Sequence, residues 1–346
     1  MNKQYRVVIP DFIQDRLEPE HQVLGDIATI TALDANHESE LAGNIEAADA
    51  IMLYHNLELT QKTISQLQHC KLIVRCGVGY DNVDHAYAAS RGIPVANIPD
   101  YGTEDVADSA LAMALSLARG VHTINSTLRA KIGPYSYTQV APLERLRDRV
   151  FGIVGLGRIG TATAIRAKAF GMEVVFYDPY QPDGYEKAVG CRRVDQLEDL
   201  LRESHIVSLH CPLTDETRQM INQDTFALMR AGAFLVNTAR GDLVDTSLLP
   251  ELLATGRLAG AGIDVLAEEP PADDNPLVAA WRDSEHPAHH RLILNPHSAF
   301  YSEQGLQEMR LKGSQACRNA LTGRPISNIV NLQSPDQFND PPQSMS

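Results

Sequence analysis

No apolar run in this chain is long enough to cross a bilayer. The longest, Ala110–Ala118, falls far short of the roughly 20 residues a spanning helix needs and is bracketed by Asp108 and Arg119. Met1-Asn-Lys-Gln-Tyr-Arg6 runs straight into Val7-Val-Ile-Pro10, without the apolar length of a signal peptide. Cysteine is scarce and unpatterned. Cys70, Cys76, Cys191, Cys211 and Cys317 are odd in number and show no C-x-x-C spacing, which excludes a disulfide framework and suits reduced thiols in a cytoplasmic protein. Positive charge is in deficit, with 30 Lys and Arg against 44 Asp and Glu for a net charge of -14. No basic block offsets this, so a nucleic-acid surface is not expected. His286, His289 and His290 crowd one polar loop but read as solvated rather than as a metal shell, and no metal is expected.

What is present is a repeated alternation of strand and helix. At 346 residues the chain suits two cores better than one. β-rich runs at Arg6–Ile9, Ala48–Tyr54, Lys71–Cys76 and Pro94–Ile98, separated by helix-length intervals such as Thr60–His69, predict a small parallel α/β domain. From Thr103, apolar residues at helical spacing follow acids in the first turn, which predicts a long buried helix to Arg119. Later strands are expected at Ile206–His210, Ala233–Asn237, Ala259–Val265 and Leu292–Leu294. A last helix, about Ser302–Leu321, is expected to return to the first domain and make it discontinuous. The expected division is 1–102 with 303–334 for the smaller domain, 103–302 for the larger, and a loose tail at 335–346, where Pro335, Pro341 and Pro342 have polar neighbours.

The larger domain carries Gly155-Leu-Gly157-Arg-Ile-Gly160. A lone G-x-G-x-x-G is weak, but here the apolar Val150–Val154 precedes it and the helix-like Thr161–Phe170 follows. A second apolar run, Glu173–Tyr177, ends in Asp178, about 20 residues past the glycines, as the dinucleotide fingerprint requires. Gly155 permits the tight turn, Gly157 lets backbone approach a pyrophosphate, and Gly160 lets the helix pack on the strand. The helix N-terminus at Arg158 and Ile159 presents N–H groups to phosphate. Asp178 suits the ribose hydroxyls, and neither Pro179 nor Tyr180 offers a cation to a 2′-phosphate, so NAD is expected over NADP. The expected fold is α/β, with a Rossmann dinucleotide-binding domain and a smaller flavodoxin-like domain.

Three further motifs, Asn237-Thr-Ala-Arg-Gly241, Gly262-Ile-Asp-Val-Leu-Ala-Glu-Glu-Pro270 and Asn295-Pro-His-Ser-Ala-Phe-Tyr-Ser-Glu-Gln304, resemble those of the D-isomer-specific 2-hydroxyacid dehydrogenases, nearest to the C-terminal binding protein branch. Ile73–Asn82, Arg166–Gly171, Phe176–Tyr180 and Met229–Gly241 support the likeness, which covers roughly residues 48–332. The resemblance implies hydride exchange between nicotinamide and a 2-hydroxy acid, with a cleft between the two domains that closes over substrate. It also implies His297 as acid and base, Glu269 rather than Glu268 as its carboxylate, and Arg240 as the cation for the substrate. The residue chemistry agrees. A carboxylate beside imidazole favours the charged ring, and guanidinium offers paired donors to a carboxylate. Singly, each residue reads as a surface ion pair, a turn acid or a loop imidazole. Together they follow strands of one sheet, at the carboxyl ends where ligands of such folds bind.

By the same likeness Asp264 receives the nicotinamide amide, while His210, Cys211, Pro212, Thr217, Thr238 and Ala239 flank the cofactor. Arg75, Val78 and Gly79 resemble a carboxylate clamp, although Arg75 also reads as the end of an edge strand bracing its domain. His55, Tyr54, Tyr80 and Phe300 are expected to line the space for the substrate's tail, and their aromatic character leans toward an apolar or thioether side chain. Phe300 stands where the branch commonly has tryptophan. In relatives the region corresponding to Arg119–Val150 builds a two-fold dimer, so a homodimer is expected. The alternative is an NAD(H)-sensing, corepressor-like scaffold that binds short peptide motifs.

Overall fold

The computed structural model describes residues 4–331, so the expected tail at 335–346 and the last residues of the 303–334 segment lie outside it. The chain divides into two compact units: one holds the residues up to Tyr101 and those from Ser302 onward, the other Gly102–Tyr301.

The first unit is built on a five-stranded parallel sheet, ordered β2-β1-β3-β4-β5, of β1 (Tyr5–Ile9), β2 (Ala28–Ala32), β3 (Ala50–Leu53), β4 (Ile73–Arg75) and β5 (Val95–Asn97). This is the flavodoxin-like order. Strand β3 is buried on every residue, as parallel sheets covered on both faces require. The expected strands are present; β1 begins one residue earlier than expected, and β3, β4 and β5 are shorter by one or two residues at their ends. Strand β2 lies outside the sequence reading: Ala28-Thr-Ile-Thr-Ala32 is a sheet edge with alternating exposure, and its two threonines dilute the apolar signal. Thr60–His69 holds a single turn of helix, Gln61–Ile64, rather than a full one. Strand β4 lies between β3 and β5, so Arg75 does not end an edge strand.

Helix Glu303–Leu321 packs against helix Glu18–Leu24 and strands β3 and β4 of this unit. Gly313 makes the approach possible, since a Cβ there would lie 2.8 Å from Cys76 Sγ. On the same helix Arg310, 5% exposed, pairs through Nε and Nη2 with both carboxylate oxygens of Glu20, itself 0% exposed, at 2.7 Å each.

The second unit holds a seven-stranded sheet, ordered β12-β11-β10-β9-β6-β7-β8 and parallel throughout. Its strands are β6 (Val150–Val154), β7 (Glu173–Tyr177), β8 (Arg192–Arg193), β9 (Ile206–Leu209), β10 (Ala233–Asn237), β11 (Leu258–Ile263) and β12 (Leu292–Leu294). Strand β6 has β7 on one side and β9 on the other, which is the Rossmann switch point. The long helix is Thr103–Ala118 and packs on helix Arg158–Ala169 and on β10 and β11. Gly260 and Gly262 of β11 face it; a Cβ on them would stand 2.8 Å from Leu117 Cδ2 and 2.9 Å from Met113 Cβ. Residues 119–150 differ in kind. Helix Val121–Ala130 buries none of its residues, and Val121, Ile132, Tyr135, Tyr137 and Leu143 are exposed.

Candidate active site and cofactor cradle

The glycine turn joins β6 to helix Arg158–Ala169, and its three glycines have separate reasons. Gly155 takes φ +90, and a Cβ on it would lie 2.7 Å from Cys211 N. Gly160 presses its helix on the turn, with a Cβ position 2.1 Å from Gly155 O. A Cβ on Gly157 would meet nothing within 4 Å, so this residue faces open space in front of the helix's first N–H groups, those of Arg158 and Ile159. Val154 is in register with Tyr177, which brings Asp178 beside the turn. Its Oδ2 accepts from Leu156 N at 2.8 Å and its Oδ1 from Tyr180 N at 2.9 Å, so the carboxylate is fixed while each oxygen keeps acceptor capacity.

At the tip of β9, His210 Nε2 meets Ser208 Oγ at 2.9 Å, and burial pulls the His210 pKa down to about 4, so its ring is neutral at pH 7. Burial also pushes the Cys211 thiol up to about 12, which removes it as a nucleophile. Thr217 Oγ1 donates to Pro212 O at 2.7 Å and closes the following loop. At the tip of β10, Thr238 is 8% exposed and its hydroxyl has no hydrogen-bond partner among the described residues. An orphaned buried hydroxyl is costly and calls for a ligand or water.

The charged groups follow the ends of β10, β11 and β12. Arg240 is half-buried, with Nη1 donating to Ala239 O at 2.8 Å, and its carbonyl accepts from Asn237 Nδ2 at 2.8 Å. Gly241 touches the loop after β11 so closely that a Cβ would lie 1.9 Å from Leu266 C. Asp264, 1% exposed, accepts from Ser298 N and Ala299 N at 3.0 Å each, and burial raises its pKa. The Asp264 carbonyl also accepts from His297 N at 2.7 Å. His297 therefore has a fixed backbone, at φ +50, and its Nδ1 lies 2.6 Å from Glu269 Oε2. The other oxygen of Glu269 accepts from Leu266 N at 2.8 Å. Phe300 stands edge-on to the His297 ring, with centroids 6.1 Å apart. The fold thus brings Glu269 and His297 together and puts Arg240 at a neighbouring strand tip. Among the described residues no group of three or more His, Cys, Asp or Glu is placed to hold a metal.

In the first unit, Arg75 is 7% exposed and donates from Nε to Asn82 Oδ1 at 3.2 Å and from Nη1 to Cys76 O at 3.3 Å. Gly77, at φ +154, leaves room for it, as a Cβ there would fall 1.5 Å from Arg75 Nη1. Val78, Gly79 and Tyr80 are half-buried on the following loop, with Tyr80 edge-on to His85. His55 lies against Phe12, ring centroids 4.4 Å apart. Tyr54 corrects the sequence reading. It is 0% exposed, a core residue behind Phe12, and lines no ligand space. Phe12, Asp11 and Asn82 lie outside the sequence reading of the site.

Residues 111–299 match the family described as D-isomer specific 2-hydroxyacid dehydrogenase, NAD binding domain. The chain belongs to this family. It is 34% identical over 312 residues to C-terminal-binding protein 1 of Caenorhabditis elegans, covering 88% of this chain and 42% of that one. It is 32% identical over 311 residues to D-3-phosphoglycerate dehydrogenase of Methanocaldococcus jannaschii, covering 90% and 57%. The chain thus spans about half the length of these curated relatives. It is also similar in structure to D-lactate dehydrogenase from Aquifex aeolicus, solved with NAD and lactic acid, with TM-score 0.85, 28% identity, and coverage of 95% of this chain and 100% of that one. NAD is the cofactor of the matched domain. The residues here fit it: the open side of Gly157, the fixed Asp178 carboxylate and the orphaned Thr238 hydroxyl all lie at carboxyl ends of the sheet. Among the described residues no helix is long and apolar enough to cross a membrane.

Proposed function

We propose that this protein interconverts small 2-keto acids and D-2-hydroxy acids, with His297 exchanging the proton. The observation that carries the reading is the 2.6 Å contact between His297 Nδ1 and Glu269, on a backbone held by Asp264. With Nδ1 engaged, the ring is oriented and Nε2 is the nitrogen that gives the carbonyl oxygen its proton. Arg240 holds the substrate carboxylate or polarises its carbonyl, and within the first unit Arg75 with the backbone of Val78 and Gly79 is a set of donors suited to a carboxylate. Phe300, edge-on to the His297 ring, lines the space for the substrate's side chain. Bound NADH supplies the hydride. Gly155, Gly157, Arg158, Ile159 and Gly160 cradle its pyrophosphate, and Asp178 takes the adenosine ribose. His210, Cys211, Pro212, Thr217, Thr238, Ala239 and Asp264 flank the rest. The test is NADH oxidation measured with a panel of 2-keto acids. Turnover with at least one is expected, and none across the panel overturns the reading.

Asp178 also supports a preference for NAD over NADP. Replacing it by Ser is expected to narrow the NADH-to-NADPH ratio of kcat/KM by roughly tenfold, about 1.4 kcal/mol. Equal use of both cofactors by the unaltered protein would remove the argument.

A homodimer is supported by the exposed apolar side chains along residues 119–150, among them Tyr135 at 86% and Tyr137 at 80%. Equilibrium sedimentation should give twice 38.0 kDa, whereas a 38.0 kDa species at micromolar concentration excludes it. The five free cysteines suit a cytoplasmic location. Similarity to C-terminal-binding protein 1 supports a second reading, an NAD(H)-sensing scaffold for short peptide motifs. Peptide pull-down without keto-acid turnover would select it.

A further inference from the structure

In the second unit, cations gather at the end of the sheet away from the cofactor cradle. Ligands of such folds bind at the carboxyl ends of the strands, where Gly155, Thr238 and Asp264 stand. At the amino ends lies a cavity of about 940 Å³, within the size range of small-molecule sites, and every residue lining it belongs to this unit. Four arginines line it, Arg145, Arg149, Arg230 and Arg291, against a single carboxylate, Glu144, in a chain whose net charge is -14. The sheet places most of them: Arg149 immediately precedes β6, Arg291 immediately precedes β12, and Arg230 stands three residues before β10. His205, immediately before β9, joins the same row.

Little in the protein answers this charge. Glu144 meets Arg149 Nη2 at 3.1 Å, and Arg291 Nη1 donates only to the neutral Leu253 carbonyl at 2.9 Å. The side chains of Arg145 and Arg230 are exposed and make no hydrogen bond or ion pair among the described residues. Burial, then the charges of Arg230 and Arg149, hold the His205 pKa below its ordinary value, so its ring is neutral at pH 7. Val150 N donates to His205 Nδ1 at 3.1 Å, which leaves the ring proton on Nε2, facing Arg149 Nη1 at 3.0 Å. Donor therefore meets donor, and an anionic oxygen accepting from both would relieve the contact.

We propose that this cavity binds a small organic polyanion, one carrying two or more phosphate or carboxylate groups, at a site separate from cofactor and substrate. Guanidinium accepts either kind of group through paired donors. One anionic group answers Arg149 and His205, and another answers the unpaired Arg145 and Arg230. A singly charged ligand would leave most of the arginines without a counter-charge. Leu117, Val140, Met172 and Phe234 give the cavity an apolar wall for the carbon skeleton that joins the charged groups. None of the residues assigned above to the cofactor lines the cavity, so both sites can be filled at once.

The test is isothermal titration of the full chain, with NADH saturating the cofactor cradle, pyrophosphate and citrate as probes, and acetate as the singly charged control. We expect at least one polyanion to bind with Kd below about 1 mM, acetate to bind at least about tenfold more weakly, and the affinity to fall as salt is added. R230Q and R145Q should each weaken the polyanion by about tenfold, and the double variant by more. Arg230 lies outside residues 119–150, so R230Q reads the cavity whether or not that segment meets a second copy. It also serves alone if circular dichroism shows the double variant unfolded. Binding of pyrophosphate only assigns the site to phosphates, and binding of citrate only assigns it to carboxylates. No binding of either polyanion, acetate bound as tightly as they are, or affinity unmoved in the folded variants overturns the inference. The measurement involves no turnover, so its failure leaves the reductase reading intact.

Discussion

Replacement of His297 by Asn lowers kcat for 2-keto acid reduction by about 10²–10⁴-fold, the range that a positioned general acid supplies. Asn is the informative substitute because His297 sits at φ +50, in the left-handed region that Asn tolerates better than other non-glycine residues. The backbone N–H that anchors this residue to the Asp264 carbonyl is kept, so the loss reads chemistry rather than a displaced loop. Glu269→Gln keeps the shape and the acceptor for Leu266 N but removes the charge that faces Nδ1. It is expected to cost less than His297→Asn and more than Glu268→Gln. Steady-state NADH oxidation, with circular dichroism as the check on folding, measures all three. A His297→Asn variant keeping more than a tenth of kcat, or a Glu268→Gln variant more impaired than Glu269→Gln, sinks the assignment.

The largest effect on stability is expected in the first unit, which does not hold His297. Arg310→Met should destabilise the first unit by about 3–5 kcal/mol, because it leaves the Glu20 carboxylate buried with no counter-charge. Removing both partners, Arg310→Met with Glu20→Leu, should recover most of that loss, since two apolar groups of similar volume replace two desolvated charges. Urea unfolding of the full protein, followed by probes in each unit to allow for separate transitions, gives the comparison. A loss below about 1 kcal/mol for the single variant would refute the role given to Glu20. Arg310 also grips the more exposed Asp15 through two contacts of 2.6 and 2.7 Å, and its hydrogen bonds hold the Asp15 carboxyl below the ordinary range. That smaller contribution has a definite sign with pH. It is fully present above the unfolded value of about 3.9 and disappears as pH falls through the lower folded one.

What was legible in the sequence has a common character. The strand-turn-helix around Gly155, the long helix beginning at Thr103 and the buried strands β3 and β10 each reside in fewer than about thirty consecutive residues, and each is read from apolar spacing or from glycine's conformational range. Strands β2 and β8 did not show, one because threonines interrupt it at a sheet edge, the other because two arginines carry no apolar pattern at all. Tyr54 illustrates the opposite error. An aromatic residue after a strand reads as a ligand contact until the packing puts its ring wholly inside.

The sequence by itself determined the class of fold, the dinucleotide turn and the types of side chain available for the chemistry, because those depend on short-range periodicity and on what each side chain can donate, accept or carry. Only the tertiary structure decided that the Thr238 hydroxyl is buried without a partner among the described residues, and that Asp11 and Asn82 clamp one loop between them. The reason is physical. Each of these contacts joins groups brought together by sheet order and loop closure, and a difference of one residue along the chain reverses which side chain points at the partner and which at solvent.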